Sequence, residues 1–113
     1  PSRLEMKNAD PFDFQRSFAL HFEPASEQRY PLLKLAFTVG RREGNLGAIM
    51  NGADEEAVDL FLHEKIGFLD IERYIMMAVE QAAYIAEPTL DEIIESDAWA
   101  REFVRKAWKG GVE

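Results

Sequence analysis

Apolar residues along this chain follow two different periods. Pro1 to Asp10 shows none and reads as an irregular lead-in. Phe12 and Phe14 then alternate with polar residues, and Phe18, Leu20 and Phe22 do so again. Period two from Pro11 to Glu23 predicts an extended segment with one aromatic face. Pro24 and Ser26 end it, and from Pro31 onward the spacing becomes helical. Pro31 suits a first helical position, where its missing N–H costs nothing. Leu32, Leu35, Ala36 and Val39 form one stripe, with Leu33 and Phe37 beside it; Gly40 weakens this helix and Gly44 closes it.

The stretch Asn45 to Leu69 predicts the central helix. Ile49, Met50, Ala53, Ala57, Leu60 and Phe61 recur at intervals of three and four, and Val58 and Leu62 widen the stripe. A helix apolar over so broad an arc touches neighbours on more than one side, and Gly67 stops it. Asp70 then reads as the cap of a third helix, whose stripe is Ile71, Tyr74, Ile75, Ala78, Val79 and Ala82. Thr89 and Glu92 form a capping box that opens the last section. Leu90, Ile93 and Ile94 read as facing inward for about two turns. The phase breaks at Ser96-Asp97, which reads as a fresh N-cap, before Ala100, Phe103, Val104, Ala107 and Trp108 begin a new stripe. Gly110-Gly111 ends the chain's helical part.

These elements predict an all-α fold, a compact bundle of four to five helices over residues 30–113, with an extended connecting arm over residues 1–29. A lone strand leaves its backbone unsatisfied, so the arm is expected to add to another sheet, lie over the helices, or pair with a second copy. There is no internal repeat.

Composition narrows the functional classes. A chain of 113 residues is long enough for one domain with a modest core. With 47% apolar and 30% charged residues it is globular in character. No run of eighteen apolar residues marks a membrane span, and there is no basic-then-apolar leader. The absence of cysteine excludes disulfides and thiolate chemistry. A net charge of -8 argues against a nucleic-acid or anionic-membrane surface. The cations Arg41-Arg42 and Arg101 to Lys109 read as complements to helix C-termini on an exposed face. A chain beginning with Pro rather than Met fits an excised segment, as well as removal of an initiator Met.

Candidate chemistry is sparse. His63 has Asp59 one turn earlier and Glu56 two turns earlier, on one helix face; a metal there would need further ligands, and a solvated face with one ion pair is the simpler reading. His21 is the other histidine. Asp54-Glu55-Glu56 cannot all grip one ion, since consecutive helical residues point about 100° apart. Asp54 and Glu55 are expected to hydrogen-bond in the bundle interior or at a domain junction, with Glu56 solvated. Asn51, beside Gly52, suggests a backbone contact with a neighbouring segment rather than with a ligand. Gly40, Gly44, Gly47 and Gly52 form no phosphate-binding loop, and Ser2, Ser17, Ser26 and Ser96 lack a nucleophile context. Met76-Met77, Trp99 and Trp108 read as core filler and packing anchors. No catalytic, cofactor-binding or metal-ligating residue is assigned.

One resemblance is specific. Met50-Asn51-Gly52-Ala53-Asp54-Glu55-Glu56-Ala57-Val58, then Leu60-Phe61-Leu62 and Lys65-Ile66-Gly67-Phe68-Leu69-Asp70-Ile71, resemble the C-terminal region of 1-deoxy-D-xylulose 5-phosphate reductoisomerase. Gly52 stands where that family usually has Ala, and Asp54 where it usually has Asn. The likeness extends in the same order to Asp13-Phe14 with Ala19-Leu20-His21-Phe22, to Arg29-Tyr30-Pro31-Leu32-Leu33-Lys34-Leu35-Ala36, and to Asp97-Ala98-Trp99-Ala100-Arg101-Glu102. It implies a C-terminal helical domain, preceded in the intact enzyme by an NADPH-binding domain and a catalytic domain that holds Mg, Mn or Co. It further implies that the fragment itself binds neither NADPH nor metal, that its partner is the catalytic domain, and that its setting is cytoplasmic, or plastid stroma in a plastid-bearing organism. The alternative is an independent helical interaction module, a homodimer through the Phe12 to Phe22 arm, with no nucleic-acid or membrane partner.

Overall fold

A computed structural model describes residues 13–111. The lead-in Pro1 to Asp10 and Phe12 lie outside the described residues. Four helices follow one another: α1 (Pro31–Arg42), α2 (Leu46–Leu62), α3 (Phe68–Gln81) and α4 (Leu90–Lys109). The protein is an all-α bundle in which α2 is the central rod, packed against α1, α3 and α4. Among the described residues there is no strand; residues 13–30 carry neither helix nor ladder, and the aromatic face expected to pair as a strand is exposed at Phe22 and Leu20.

The buried set explains this order. Leu46, Ile49, Ala53, Ala57 and Leu60 of α2 meet Tyr74, Ile75 and Ala78 of α3 and Ala100, Val104 and Ala107 of α4. Ala53 and Ala57 of α2 and Ala100 and Ala107 of α4 are small enough to let the two backbones approach closely. Val39 carries α1 onto the core, whereas Ala36, expected in its stripe, is exposed.

Element boundaries differ from expectation in three places. The central helix stops at Leu62, before Gly67, because Glu64 turns to a positive φ of 57° and the backbone closes on itself through Lys65 N–H to Leu60 C=O at 2.9 Å. The third helix is capped at Gly67 and not at Asp70; the Asp70 carboxylate reaches back to the Gly67 N–H at 2.8 Å from inside the first turn. Most significantly, α4 runs unbroken through Ser96-Asp97. Leu90, Ile93 and Ile94 are consequently exposed rather than inward, and the inner face of the first turns belongs to Glu92 and Ser96. The capping box forms as expected: Glu92 N–H donates to Thr89 Oγ1 at 3.3 Å, and Thr89 N–H donates to Glu92 Oε2 at 2.8 Å.

Candidate functional site

The polar groups that the fold gathers lie along the seam between α2 and α4, which run in the same direction. At its head sits Asn45, 1% exposed. Its Oδ1 accepts the Ile85 N–H at 2.9 Å, and its Nδ2 donates to Ala83 C=O at 2.9 Å and to Ser96 Oγ at 3.0 Å. The Asn45 N–H donates in turn to Ile85 C=O at 3.0 Å. One amide thus ties the start of α2, the α3–α4 loop and the second turn of α4 together. Gly44, at φ 65°, brings the chain flush against that loop, where a Cβ would collide with the Ile85 carbonyl. Outside the loop, Tyr84 donates its hydroxyl to Arg42 C=O at 2.7 Å beneath the Arg42 guanidinium.

Further along, two arginines clamp α4 to α2. Arg105 donates from Nε and Nη2 to Glu56 Oε1 and Oε2 at 2.8 and 2.7 Å, the bidentate arrangement that fixes both planes. Arg101 donates to Asp97 at 2.8 Å and across the seam to Glu55 at 2.6 Å, while Asn51 Nδ2 donates to Glu55 Oε1 at 3.1 Å. Hydrogen bonds to Asp97 and then to Glu55 raise the Arg101 pKa further above its ordinary value. Glu55 is held below the usual carboxylate range, first by the Arg101 hydrogen bond and then by Asn51. Glu92 is lowered likewise by the Thr89 N–H and hydroxyl.

Several expected placements are therefore reversed. Glu56 is buried and paired, not solvated, while Asp54 is exposed. Arg101 and Arg105 are interhelical clamps; only Arg41, Arg42, Lys106 and Lys109 occupy last turns. Asn51 is exposed and bonds within its own helix. The close interhelical contact belongs to Gly52, where a Cβ would lie 2.8 Å from Asp97 O. His63 stands with Asp59, Nδ1 3.4 Å from Oδ1, both exposed, and Glu56 is committed elsewhere. Among the described residues no group of three or more His, Cys, Asp or Glu side chains is placed to hold a metal ion.

The signal for Glu56 was present in the sequence: Ile49, Ala53, Glu56 and Leu60 make one unbroken line at helical spacing. Ser96, Ala100, Val104 and Ala107 make another, which is the mark of a continuous α4. Asn45 offered no periodic signal, since it precedes the helix.

Two hollows flank Trp99. One, about 380 Å3, lies between α3 and α4 and is lined by Met77, Gln81, Phe103 and Lys106 among others. The second, about 350 Å3, borders Asn45, Ser96, Glu92 and Glu95. Trp99 stacks on Phe103 at 5.2 Å between ring centroids, and Trp108 packs on the core. At the end of the bundle where the arm enters, Arg29, Tyr30, Leu32, Phe68, Leu69 and Ile71 surround a third, apolar depression of about 260 Å3. Phe68 and Leu69 are each more than two-thirds exposed there, with Phe61 edge-on to Phe68 at 5.9 Å.

Four helices around α2, with Arg101 and Arg105 clamping α4 to it, define a helical-bundle domain. Comparison with known proteins makes that particular: residues 1–103 match the family model for the DXP reductoisomerase C-terminal domain, and the chain belongs to that family. It is 46% identical over 104 residues to the 1-deoxy-D-xylulose 5-phosphate reductoisomerase of Exiguobacterium sibiricum, covering 92% of this chain and 27% of the relative. The corresponding protein of Geobacillus sp. strain WCH70 is 44% identical over 105 residues, 93% of this chain and 28% of its own length. That of a Synechococcus strain is 45% identical over 92 residues, covering 81% and 24%. The chain thus spans about a quarter of the length of the curated relatives it matches.

Proposed function

We propose that this chain is the supporting domain of a reductoisomerase that converts 1-deoxy-D-xylulose 5-phosphate to 2-C-methyl-D-erythritol 4-phosphate, using NADPH and a divalent metal, on the route to isoprenoid precursors. On this reading residues 1–29 are the connecting arm and residues 30–113 the bundle. The chain is inert alone, works in the cytoplasm or plastid stroma, and has the catalytic domain as its partner. Neither NADPH nor metal chemistry is routed through this segment. Its carboxylates at the seam are bonded to arginine, and its glycines have no phosphate-loop spacing.

The observation that carries the reading is the apolar end of the bundle at Tyr30, Phe68 and Leu69. Contiguous exposure of this kind is a docking surface in a folded domain, and it lies where the arm delivers the chain. A rigid bundle packed there holds the geometry of a neighbouring cleft without entering it. The test is NADPH oxidation with 1-deoxy-D-xylulose 5-phosphate. The chain alone is expected to give none, and a polypeptide that includes the upstream coding region is expected to turn over. Turnover by the chain alone, or an upstream region without a glycine-rich βαβ start and an acidic metal motif, overturns the reading.

The exposure of Leu20 and Phe22 on the arm favours a second reading, self-association of the chain as a homodimer. Light scattering on the chain and on a version starting near Ser26 separates the two; a dimer that becomes a monomer on truncation supports it.

A further inference from the structure

Asn51 and Gly52 form an Asn-Gly pair inside α2. Glycine offers no Cβ to hinder its backbone nitrogen from attacking the side-chain carbon of the preceding asparagine. The seam itself requires that glycine, because Asp97 of α4 occupies the space a Cβ would take. Close packing has therefore placed a chemically labile dipeptide on the central helix.

Three features hold the reaction off while the fold is intact. As an interior helical residue, Gly52 commits its N–H to the carbonyl four residues back. Helical ψ at Asn51 keeps that nitrogen away from Cγ. The Asn51 amide donates to Glu55, which Arg101 grips at 2.6 Å, and Arg101 is anchored to Asp97 at 2.8 Å. All three depend on α2 remaining helical against α4.

We propose that Asn51 is a site of spontaneous deamidation gated by the α2–α4 seam, closed in the folded chain and open when α2 detaches locally. The Gly52 nitrogen gives up its proton to solvent and bonds to Asn51 Cγ. The Cγ–Nδ2 bond breaks, and Nδ2 leaves as ammonia, taking a proton from solvent. Water then opens the five-membered imide. Cleavage of the bond from the imide nitrogen to Cγ gives aspartate, and cleavage of the bond to the main-chain carbonyl carbon gives isoaspartate. Nothing is oxidised or reduced.

Either product acts against refolding. Aspartate at 51 cannot donate to Glu55 and sets two carboxylates one turn apart. Isoaspartate lengthens the main chain by a methylene immediately before Gly52, where the contact with Asp97 has no slack. Modification marks chains whose seam has opened and biases them against closing it.

The test is incubation at mildly alkaline pH with and without urea in isotope-labelled water, followed by mass spectrometry of the peptide spanning residue 51. The folded chain is expected to deamidate there at least about tenfold more slowly than the unfolded one, the suppression that a local opening equilibrium imposes. Arg101→Gln, confirmed folded by circular dichroism, is expected to fall between them; where it does not fold, Glu55→Gln replaces it with the same expectation. Equal rates with and without urea, no modification at 51 in urea, or a folded variant that reacts no faster than the parent would overturn the gate. The isolated isoaspartyl chain is expected to recover less helix than the parent after urea is removed, and equal recovery overturns the bias against closing.

Discussion

The Nδ2 of Asn45 lies 3.0 Å from the hydroxyl of Ser96, 51 positions later in the chain, and both residues are buried. Ser96 is turned inward onto Asn45 from the middle of a continuous helix, where it ties α4 to the start of α2 instead of beginning a new helix. The same amide fixes the loop between α3 and α4 through Ala83 and Ile85.

Asn45→Ala should therefore destabilise the chain well beyond the loss of one contact. It leaves the Ile85 N–H and the Ala83 carbonyl without their side-chain partner in a part-buried site, a cost of about 2–4 kcal/mol. Ser96→Ala, which leaves Asn45 its Ala83 bond, should cost about 1 kcal/mol. Urea unfolding measures both, and the double variant should cost less than their sum because the two share one bond.

Arg105 and Glu56 make a second cross-seam prediction. Glu56 is buried while Arg105 is half exposed. Removing the arginine strands a carboxylate, whereas removing both charges does not. Arg105→Gln should lower the urea midpoint, and adding Glu56→Gln should restore part of the loss. His63→Gln, which removes a pair exposed on both sides, should leave the midpoint within experimental error. A drop for His63→Gln equal to that for Arg105→Gln would contradict the clamp.

How much of this was legible follows from where the information resides. The stripes of α2 and α3 are periodic, and periodicity alone placed Ile49, Ala53, Ala57, Tyr74 and Ile75 in the core. Leu90 and Ile94 fall outside because α4 is one continuous helix, and the break expected at Ser96-Asp97 gives its first turns a separate inner face that the fold does not have. Extending the line of Val104 and Ala100 backward reaches Ser96 and Glu92, which leaves the two larger residues on the outside. Glu56 lay on the buried line of α2, but its partner is 49 positions away and no local rule pairs them. Asn45 has three side-chain partners, all remote in sequence, so only the assembled fold reveals it.

The proposed docking end predicts a difference in accessibility. The chain contains no cysteine, so a single introduced thiol is an unambiguous probe. Leu69→Cys should react with maleimide at the rate of an exposed thiol in this chain, since Leu69 is 72% exposed. In the longer polypeptide it should react about tenfold or more slowly, while Glu80→Cys on the outer face of α3 changes little. An unchanged Leu69→Cys rate in that polypeptide would place the interface elsewhere.

The stability of α4 should fall in acid. The Thr89 N–H and hydroxyl lower the Glu92 pKa from its ordinary 4.5. A depressed carboxylate stabilises the fold above its unfolded-state value, and that contribution is lost as the pH falls through the folded value. Glu55 has the same sign, through Arg101 and Asn51. The urea midpoint should therefore decline as the pH falls below the ordinary carboxylate value of 4.5. Glu92→Gln should lower the midpoint at neutral pH and flatten the decline, so that variant and parent converge in acid.

Two glycines of one helix should respond in opposite directions. At Gly47 an added Cβ meets nothing within 4 Å, and no positive φ demands glycine. Gly47→Ala should stabilise the chain by about 0.5–1 kcal/mol, because alanine loses less backbone entropy in a helix. At Gly52 the same helical gain competes with Asp97, whose carbonyl oxygen stands 2.8 Å from the Cβ position and whose Cα stands 3.3 Å away. These are backbone atoms of α4, so relief requires moving the helix, which would stretch the Arg101 and Arg105 clamps. Gly52→Val should cost about 1–3 kcal/mol by overpacking, more than its helical preference returns. Urea unfolding of the two variants gives the comparison. A Gly52→Val chain as stable as Gly47→Ala would mean that α2 and α4 are not held at this separation, and would remove the reason for glycine at 52.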